Sequence, residues 1–390
     1  MYLLYVHFPF CQRKCQYCDF CSFPAGEAVM AAYCETLEKE MALAAPAFAG
    51  ERAETVFFGG GTPSVLPAAL MRRVTDALHR HFDIQPGAEF TSEANPGTLR
   101  EDWLDVMAGA GMNRLSLGVQ AKQEPLLRTL GRIHSFEQAL DALAAARRHG
   151  VDNLNCDAMF GLPGQTKADY LDTLAAFAEA GVSHISAYSL ILEEHTPLHR
   201  LVTSGALTLP DDDAVADMLE SGVTELAKRG YRRYEISNFS HPGRECAHNL
   251  GYWQGKRYLG LGLNAASLLD AAADEPGALY TRVSNTADLD TYLRALNKGR
   301  LPRLAREPIG REEAMYETLM LGLRTARGVD ERAFEARFGV SLASLYGARI
   351  AALRKEGWIA PLQAEHPFLA LTDGGLNVQS AVLLRLTDGL

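Results

Sequence analysis

Met1-Tyr-Leu-Leu-Tyr-Val-His-Phe-Pro-Phe10, running straight into Cys11-Gln-Arg-Lys-Cys15-Gln-Tyr-Cys18, is the stretch that decides the fold. A short apolar run rich in aromatic side chains reads as a buried strand that delivers a cysteine loop at its end. A secretory signal would need a basic segment ahead of the run and a small-residue cleavage site behind it, and neither is present. Moving outward, Leu3–Phe8, Thr55–Phe58, Glu89–Glu93, Arg114–Val119, Asn153–Met159 and His184–Leu190 read as strands. Helical patterns over 28–45, 67–82, 99–110, 135–149 and 167–180 alternate with them. Six βα units in series imply a parallel sheet with right-handed crossovers, either doubly wound or an incomplete barrel.

The unusual residues favour the barrel. The second strand ends in Gly59-Gly60-Gly61-Thr62-Pro63, the third in Glu93-Ala-Asn-Pro-Gly97 and the fourth in Gly118-Val-Gln120; the fifth carries Asp157 ahead of Gly161-Leu-Pro-Gly164. Chemistry at the C-terminal ends of successive strands converges on one mouth in a barrel. The expected fold class is therefore α/β, a partial (β/α)6 TIM-like barrel over residues 1–200. Residues 201–309 read as a linker or accessory region, with a helix from Pro210-Asp-Asp-Asp213 to about Arg229 and a short strand at Tyr234–Ser237. Beyond it, 310–390 offers helices over 311–326, 331–338 and 342–356, then strand-like Trp358–Leu362 and Phe368–Thr372, the order of a winged-helix-like cap.

The composition, 47% hydrophobic and 22% charged over 390 residues, excludes a disordered chain, a collagen and a coiled-coil rod. Thirty-eight basic against 48 acidic residues give a net charge of −10, which argues against nucleic acid as a partner. No stretch of 18 uncharged apolar residues is present to suggest a membrane span. Of the seven cysteines, four fall at 11, 15, 18 and 21, while Cys34, Cys156 and Cys246 are scattered and read as small buried apolar residues. An odd, clustered set in a long chain points to metal binding in a reducing cytoplasm rather than to disulfides.

Cys11-x3-Cys15-x2-Cys18 is the strongest chemical signal. Structural zinc usually takes four closed ligands, often as two separated pairs. Three cysteines on one short loop suit a [4Fe–4S] cluster with one iron open to a chelating amino and carboxylate group. S-adenosylmethionine (SAM) carries such groups, and an electron from the cluster cleaves its sulfonium to a 5′-deoxyadenosyl radical. Cys21 could close the cluster as a fourth ligand or point elsewhere. In Gly59–Gly61 the missing Cβ atoms would let the backbone approach a bound molecule, with N–H groups exposed to it. Glu93 and Asp157 suit amine or ribose hydroxyl groups; Gln120 and Arg132 suit ribose and carboxylate.

Taken together, Tyr5-Val-His7-Phe-Pro-Phe-Cys11, Cys15-x2-Cys18-Asp-Phe20, Gly59–Pro63, Glu93–Gly97, Gly118–Gln120, Gly131-Arg132-Ile-His134 and Asn155-Cys-Asp157 resemble the radical SAM proteins of the HemN/HemW group, the oxygen-independent coproporphyrinogen III oxidase-like proteins. The resemblance spans essentially the whole chain. It implies that Cys11, Cys15 and Cys18 bind the cluster and that Tyr5, Gly60 and Glu93 line the SAM. Tyr17, Gly61, Thr62, Gln120, Arg132 and Asp157 match further SAM-contacting positions. The short segment ahead of the cysteines, and Phe20 where the decarboxylating enzyme has a fourth cysteine, point to the heme-chaperone branch. So does Cys246-Ala-His248-Asn249-Leu-Gly-Tyr252-Trp253, which resembles that branch's heme-linked motif; imidazole is an axial ligand and aromatics stack on porphyrin.

The resemblance thus implies a cytoplasmic heme-binding protein that hands heme to an acceptor protein, including one at the membrane, with a flavodoxin or ferredoxin as electron donor. The alternatives are oxidative decarboxylation of coproporphyrinogen propionates and HemN-like methyl transfer. One departure stands out: Ala266 occupies the place of the group's histidine in Gly260-Leu-Gly-Leu-Asn-Ala-Ala-Ser267.

Overall fold

The computed structural model describes residues 1–361 and 367–388. The six expected βα units are all present. They run β1 Tyr2–Phe8, α1 Glu27–Ala44, β2 Arg52–Gly60, α2 Ala68–His81, β3 Asp83–Ala94, α3 Glu101–Gly109, β4 Arg114–Gln120, α4 Glu124–Thr129, α5 Phe136–Arg148, β5 Asn153–Phe160, α6 Lys167–Glu179 and β6 His184–Ser189. The strands pair in parallel in their order along the chain. A doubly wound sheet reverses direction part-way; unbroken succession instead sends every right-handed crossover to one face and curls the sheet. α5 and α6 both start with reciprocal capping boxes, Ser135 with Gln138 and Thr166 with Asp169. The six-residue α4, led by Pro125 in its first turn, is too short to leave an amphipathic period in the sequence.

Side-chain parity along the strands separates two environments. Tyr2, Leu4, Val6 and Phe8 of β1, Val56 and Phe58 of β2, Leu115, Leu117 and Val119 of β4, and Leu154, Cys156 and Ala158 of β5 join the apolar core shared with the helices. Their alternates, including Tyr5, Phe57, Glu93, Arg114, Ser116, Asn155, Asp157 and Ser186, line the inner side of the curved sheet. The interior of the barrel is therefore polar, and it is open to chemistry.

After β6 come α7 Pro197–Thr203 and α8 Asp212–Lys228, the latter capped by Asp211. The strand expected at Tyr234–Ser237 is instead the turn between β7 Arg232–Arg233 and β8 Asn238–Ser240, a tight antiparallel pair laid against β6. The chain then forms α9 Ala247–Trp253, β9 Tyr258–Leu261, β10 Ala266–Asp270, β11 Ala278–Asn285, α10 Leu289–Asn297 and β12 Arg303–Gly310. β9 runs parallel to β1 and β10–β12 follow antiparallel, so the accessory region extends the barrel sheet to twelve strands. The sheet does not close.

The C-terminal region has its own apolar core around Phe334, Phe338, Leu353 and Leu369. It is built from α11 Arg311–Gly322, β13 Val329–Asp330, α12 Glu331–Phe338, α13 Leu342–Lys355, β14 Phe368–Leu369, α14 Asp373–Asn377 and α15 Gln379–Thr387. The expected hairpin is reduced. Phe368–Leu369 pairs with β13, and Trp358–Ala360 meets Ala370–Thr372 through two backbone bonds and the Ile359–Leu371 bridge. Leu362 lies outside the described residues. Among the described residues no helix is long and apolar enough to cross a membrane.

Candidate functional site

The cysteine loop is pinned at both ends and in its middle. Cys11 N–H donates to Phe23 O and Phe23 N–H to Pro9 O, at 3.1 and 2.8 Å; Gln16 N–H donates to Leu130 O at 3.0 Å and its carbonyl accepts from Leu198 N–H at 2.9 Å. Gly131 has φ +72° and sits against Gln16, where a Cβ would come within 2.9 Å of Gln16 Cγ. The loop thereby faces a cleft of about 120 Å³ at the C-terminal ends of the strands. That cleft is lined by Cys11, Cys15, Cys18, Tyr17, Gly60, Gly61, Thr62, Glu93, Gln120, Arg132 and Asp157. Residues separated by up to 146 positions meet because each ends a neighbouring strand or follows one.

A hydrogen-bonded chain ties the far wall to the loop. Arg132 Nη1 donates to Cys15 Sγ at 3.3 Å and Nη2 to Asn95 Oδ1 at 2.6 Å, and Nη2 also reaches the Gly118 carbonyl. Asn95 Nδ2 donates to Thr62 Oγ1 at 2.9 Å, which lies 3.6 Å from Cys11 Sγ. Asn95, quoted within Glu93–Gly97 but assigned no role there, is a positioning residue whose amide holds both Arg132 and Thr62. Gln120 follows an irregularity in the β4–β5 register and has φ +74°, a left-handed backbone that non-glycine residues rarely adopt. Among the described residues no three His, Cys, Asp or Glu side chains converge on a single-ion site. Three cysteines around a four-iron cube each bind a different iron and need no such convergence, whereas a zinc ion would. Cys21 is not part of the lining; its Sγ faces the Ala287 carbonyl at 4.0 Å.

The glycines act differently from expectation. The N–H groups of Gly60, Gly61 and Thr62 are already engaged: Gly60 N–H donates to Glu93 Oε2 at 3.1 Å, while Gly61 and Thr62 N–H donate to the Phe8 and Phe10 carbonyls, each at 2.7 Å. The glycines serve close packing at the strand end. A Cβ on Gly61 would lie 2.6 Å from Phe10 O, and one on Gly60, where φ is +104°, would enter the His7 ring at 2.4 Å. Gly60→Ala is therefore expected to cost about 2–4 kcal/mol in chemical denaturation, against near-neutrality for Gly26→Ala, whose Cβ meets nothing within 4 Å.

Electrostatically, the mouth is acidic and reluctant to ionise. Burial and the neighbouring Asp157 push the Glu93 carboxyl up to about 8. Asp157 is raised as well, mainly by burial, although Asn155 Nδ2 donates to it at 2.8 Å. Two carboxyls so placed hold or release a proton easily and would welcome a cationic ligand.

Tyr5 lies deeper than expected, in a second cavity that also holds His248, Asn249 and Tyr252. His248 is 1% exposed and stacks on Phe57 with centroids 5.0 Å apart. Its Nδ1 pairs with Thr55 Oγ1 at 2.7 Å and its Nε2 with the Tyr252 hydroxyl at 3.2 Å; burial holds the imidazole down at about 3, hence neutral. Glu89 receives the first N–H groups of α9, from Ala247 and His248 at 2.9 and 3.0 Å, and so fixes the helix across the lower end of the barrel. Trp253 faces away, with the Arg324 guanidinium 4.8 Å from its ring centre. The four motif residues thus split between the barrel interior and the C-terminal unit. Ala266 begins β10, and its carbonyl fills the space a Cβ on Gly260 would need.

Residues 5–177 match the radical SAM superfamily and residues 309–378 the HemN C-terminal domain. The fold aligns over 100% of this chain and 90% of the other with Escherichia coli coproporphyrinogen III oxidase (HemN), with a TM-score of 0.85 and 24% identity. Fold and site therefore define a radical SAM protein with a HemN-type C-terminal domain. The chain is 37% identical to the heme chaperone HemW of Lactococcus lactis over 349 residues, 90% of this chain and 88% of that protein. Identity is 33% over 395 residues, 99% of this chain and 87% of the relative, with a mitochondrial radical S-adenosyl methionine domain-containing protein 1 of Bos taurus. The chain belongs to the HemW family of radical SAM proteins.

Proposed function

We propose that this chain is a heme chaperone: a radical SAM protein that binds heme and passes it to an acceptor protein. What supports the cofactor part is the single cleft into which three cysteines and Tyr17 of the loop converge with seven residues of the barrel strands and the segments that follow them. Cys11, Cys15 and Cys18 would hold a [4Fe–4S] cluster. Tyr17, Gly60, Gly61, Thr62, Glu93, Gln120, Arg132 and Asp157 would surround SAM, with Tyr5 beneath. Held there and reduced by a flavodoxin or ferredoxin, such a cluster would supply the electron for cleavage of the SAM sulfonium. Glu93 and Asp157 would accept from amine and hydroxyl groups, and Arg132 would hold Cys15 and Asn95 in place.

Membership in the HemW family supports the heme part, together with the His248–Trp253 motif. Thr55 already orients Nδ1 of His248, as an outer hydrogen-bond partner does for a metal-bound imidazole. Only the long Tyr252 contact occupies Nε2, so heme iron would take that position once Tyr252 turns aside. Asn249 and Tyr252, which line the same cavity, would then contact the porphyrin, whereas Trp253 faces Arg324 of the C-terminal unit. The protein would work in the cytoplasm and reach any membrane-bound acceptor through that partner.

Heme titration of the anaerobically reconstituted protein, followed by its Soret absorbance, tests this reading. Stoichiometric binding in the wild type should fall at least about tenfold in His248→Ala and measurably in Thr55→Val. Equal binding by His248→Ala, or loss of propionate carboxyls from added coproporphyrinogen, would support the decarboxylase instead.

A further inference from the structure

Arg114 opens β4 and points into the barrel, where its side chain is 2% exposed. Its Nε has no hydrogen-bond partner, and among the described residues the guanidinium forms no hydrogen bond or ion pair. A buried guanidinium with five donors is among the costliest groups a fold can leave unpaired. The surrounding polar groups are, by contrast, already engaged with one another. Asn155 Nδ2 donates to Ser116 Oγ at 2.7 Å and to Asp157, and Asn155 Oδ1 pairs with His184 Nδ1 at 2.6 Å. Ser186 Oγ donates to the same Asn155 oxygen at 3.1 Å. Glu89, the nearby acid, spends both carboxylate oxygens on the start of α9.

What remains in front of Arg114 is the inner cavity of about 230 Å³. Tyr5, Phe57 and Tyr252 supply aromatic wall, while Glu93, Ser116 and Asp157 form its boundary with the cysteine-lined cleft. We propose that this cavity is a binding site for a small organic monocarboxylate, held by Arg114 and admitted through the cleft. The planar fork of a guanidinium matches a carboxylate two bonds at a time. The aromatic wall suits an apolar tail, and the space exceeds that of a bare ion. The rings of that wall offer no donors to further anionic oxygens, which favours a monocarboxylate with an apolar tail over phosphate. The cavity is the one that holds His248, so heme coordinated there would compete with the monocarboxylate, and the site is tested on heme-free protein.

The test is thermal unfolding of the full-length protein in sodium propionate or butyrate, against sodium chloride and sodium phosphate at equal ionic strength. A saturable rise in Tm with the monocarboxylates alone is expected. Arg114→Met should abolish it, and Arg114→Lys, which keeps the buried charge, should weaken the half-saturation by about tenfold. If Arg114→Met fails to fold, Arg114→Lys decides. The proposal is overturned by the absence of any saturable rise, by an unchanged rise in Arg114→Lys, or by crystals soaked in propionate that show only water at the guanidinium.

Discussion

Cys15→Ala, reconstituted anaerobically with iron and sulfide, is expected to retain about a tenth or less of the wild-type cluster absorbance and to form no detectable 5′-deoxyadenosine from SAM. The loop is pinned by backbone bonds that do not involve the thiols, so its path should survive the substitution. What is lost is one of three anchors, along with the acceptor of the Arg132 bond at 3.3 Å. Cys21→Ala is the control, because Cys21 faces Ala287 and lies outside the cleft. It should keep the cluster and the cleavage. Iron and acid-labile sulfide analysis on both variants would decide the matter. A Cys21→Ala protein as empty as Cys15→Ala would mean that the cluster is closed by four thiolates.

The largest effect on stability is expected from Glu40→Ala. Glu40, 2% exposed on α1, accepts from Gly262 N–H at 2.8 Å, Asn285 Nδ2 at 2.6 Å and the Tyr292 hydroxyl at 2.6 Å. One carboxyl therefore ties the first helix to β11, α10 and the end of β9. Alanine would leave three buried donors unpaired, at a cost of about 3–5 kcal/mol in urea denaturation. Burial also raises the carboxyl to about 7, against its donors, which lower it. A folded-state value above the unfolded one means that this contribution is full below about pH 4.5 and is lost as pH rises through about 7. Glu40→Gln cannot titrate and should flatten stability between pH 5 and 8. An unaltered pH slope in Glu40→Gln would show that other groups govern it.

Much of this architecture was legible in the sequence, for a physical reason. Buried strands leave a strong apolar signal: β1 is a near-continuous apolar run, while β4 and β5 alternate apolar with polar residues along their length. Their polar ends marked the mouth, and the structure brings Tyr17, Gly60, Glu93, Gln120, Arg132 and Asp157 together there. Parity would have carried the inference further: Tyr5, Arg114, Asn155 and Ser186 share the inward phase of their strands with Glu93 and Asp157. The accessory strands were harder to see. β9 and β10 are short and separated by Gly262 and Asn264, both at positive φ. β12 carries Arg303, Arg306, Glu307 and Pro308 and is exposed over most of its length, as suits a sheet edge protected from further pairing. β11, with its alternating burial, did carry a period-two signal. Misplacement of the glycine N–H groups had a different cause. Their partners, Phe8 of β1, Phe10 just beyond it and Glu93 of β3, became neighbours only through the fold.

The account turns on an open iron in a cluster held by Cys11, Cys15 and Cys18. Electron–nuclear double resonance of the reduced protein, mixed with SAM labelled at the amino nitrogen and the carboxylate oxygen, addresses that iron directly. Strong nitrogen and oxygen couplings at one iron are predicted, and they should persist in Cys21→Ala. A reduced cluster showing neither coupling in the presence of saturating SAM would contradict the account.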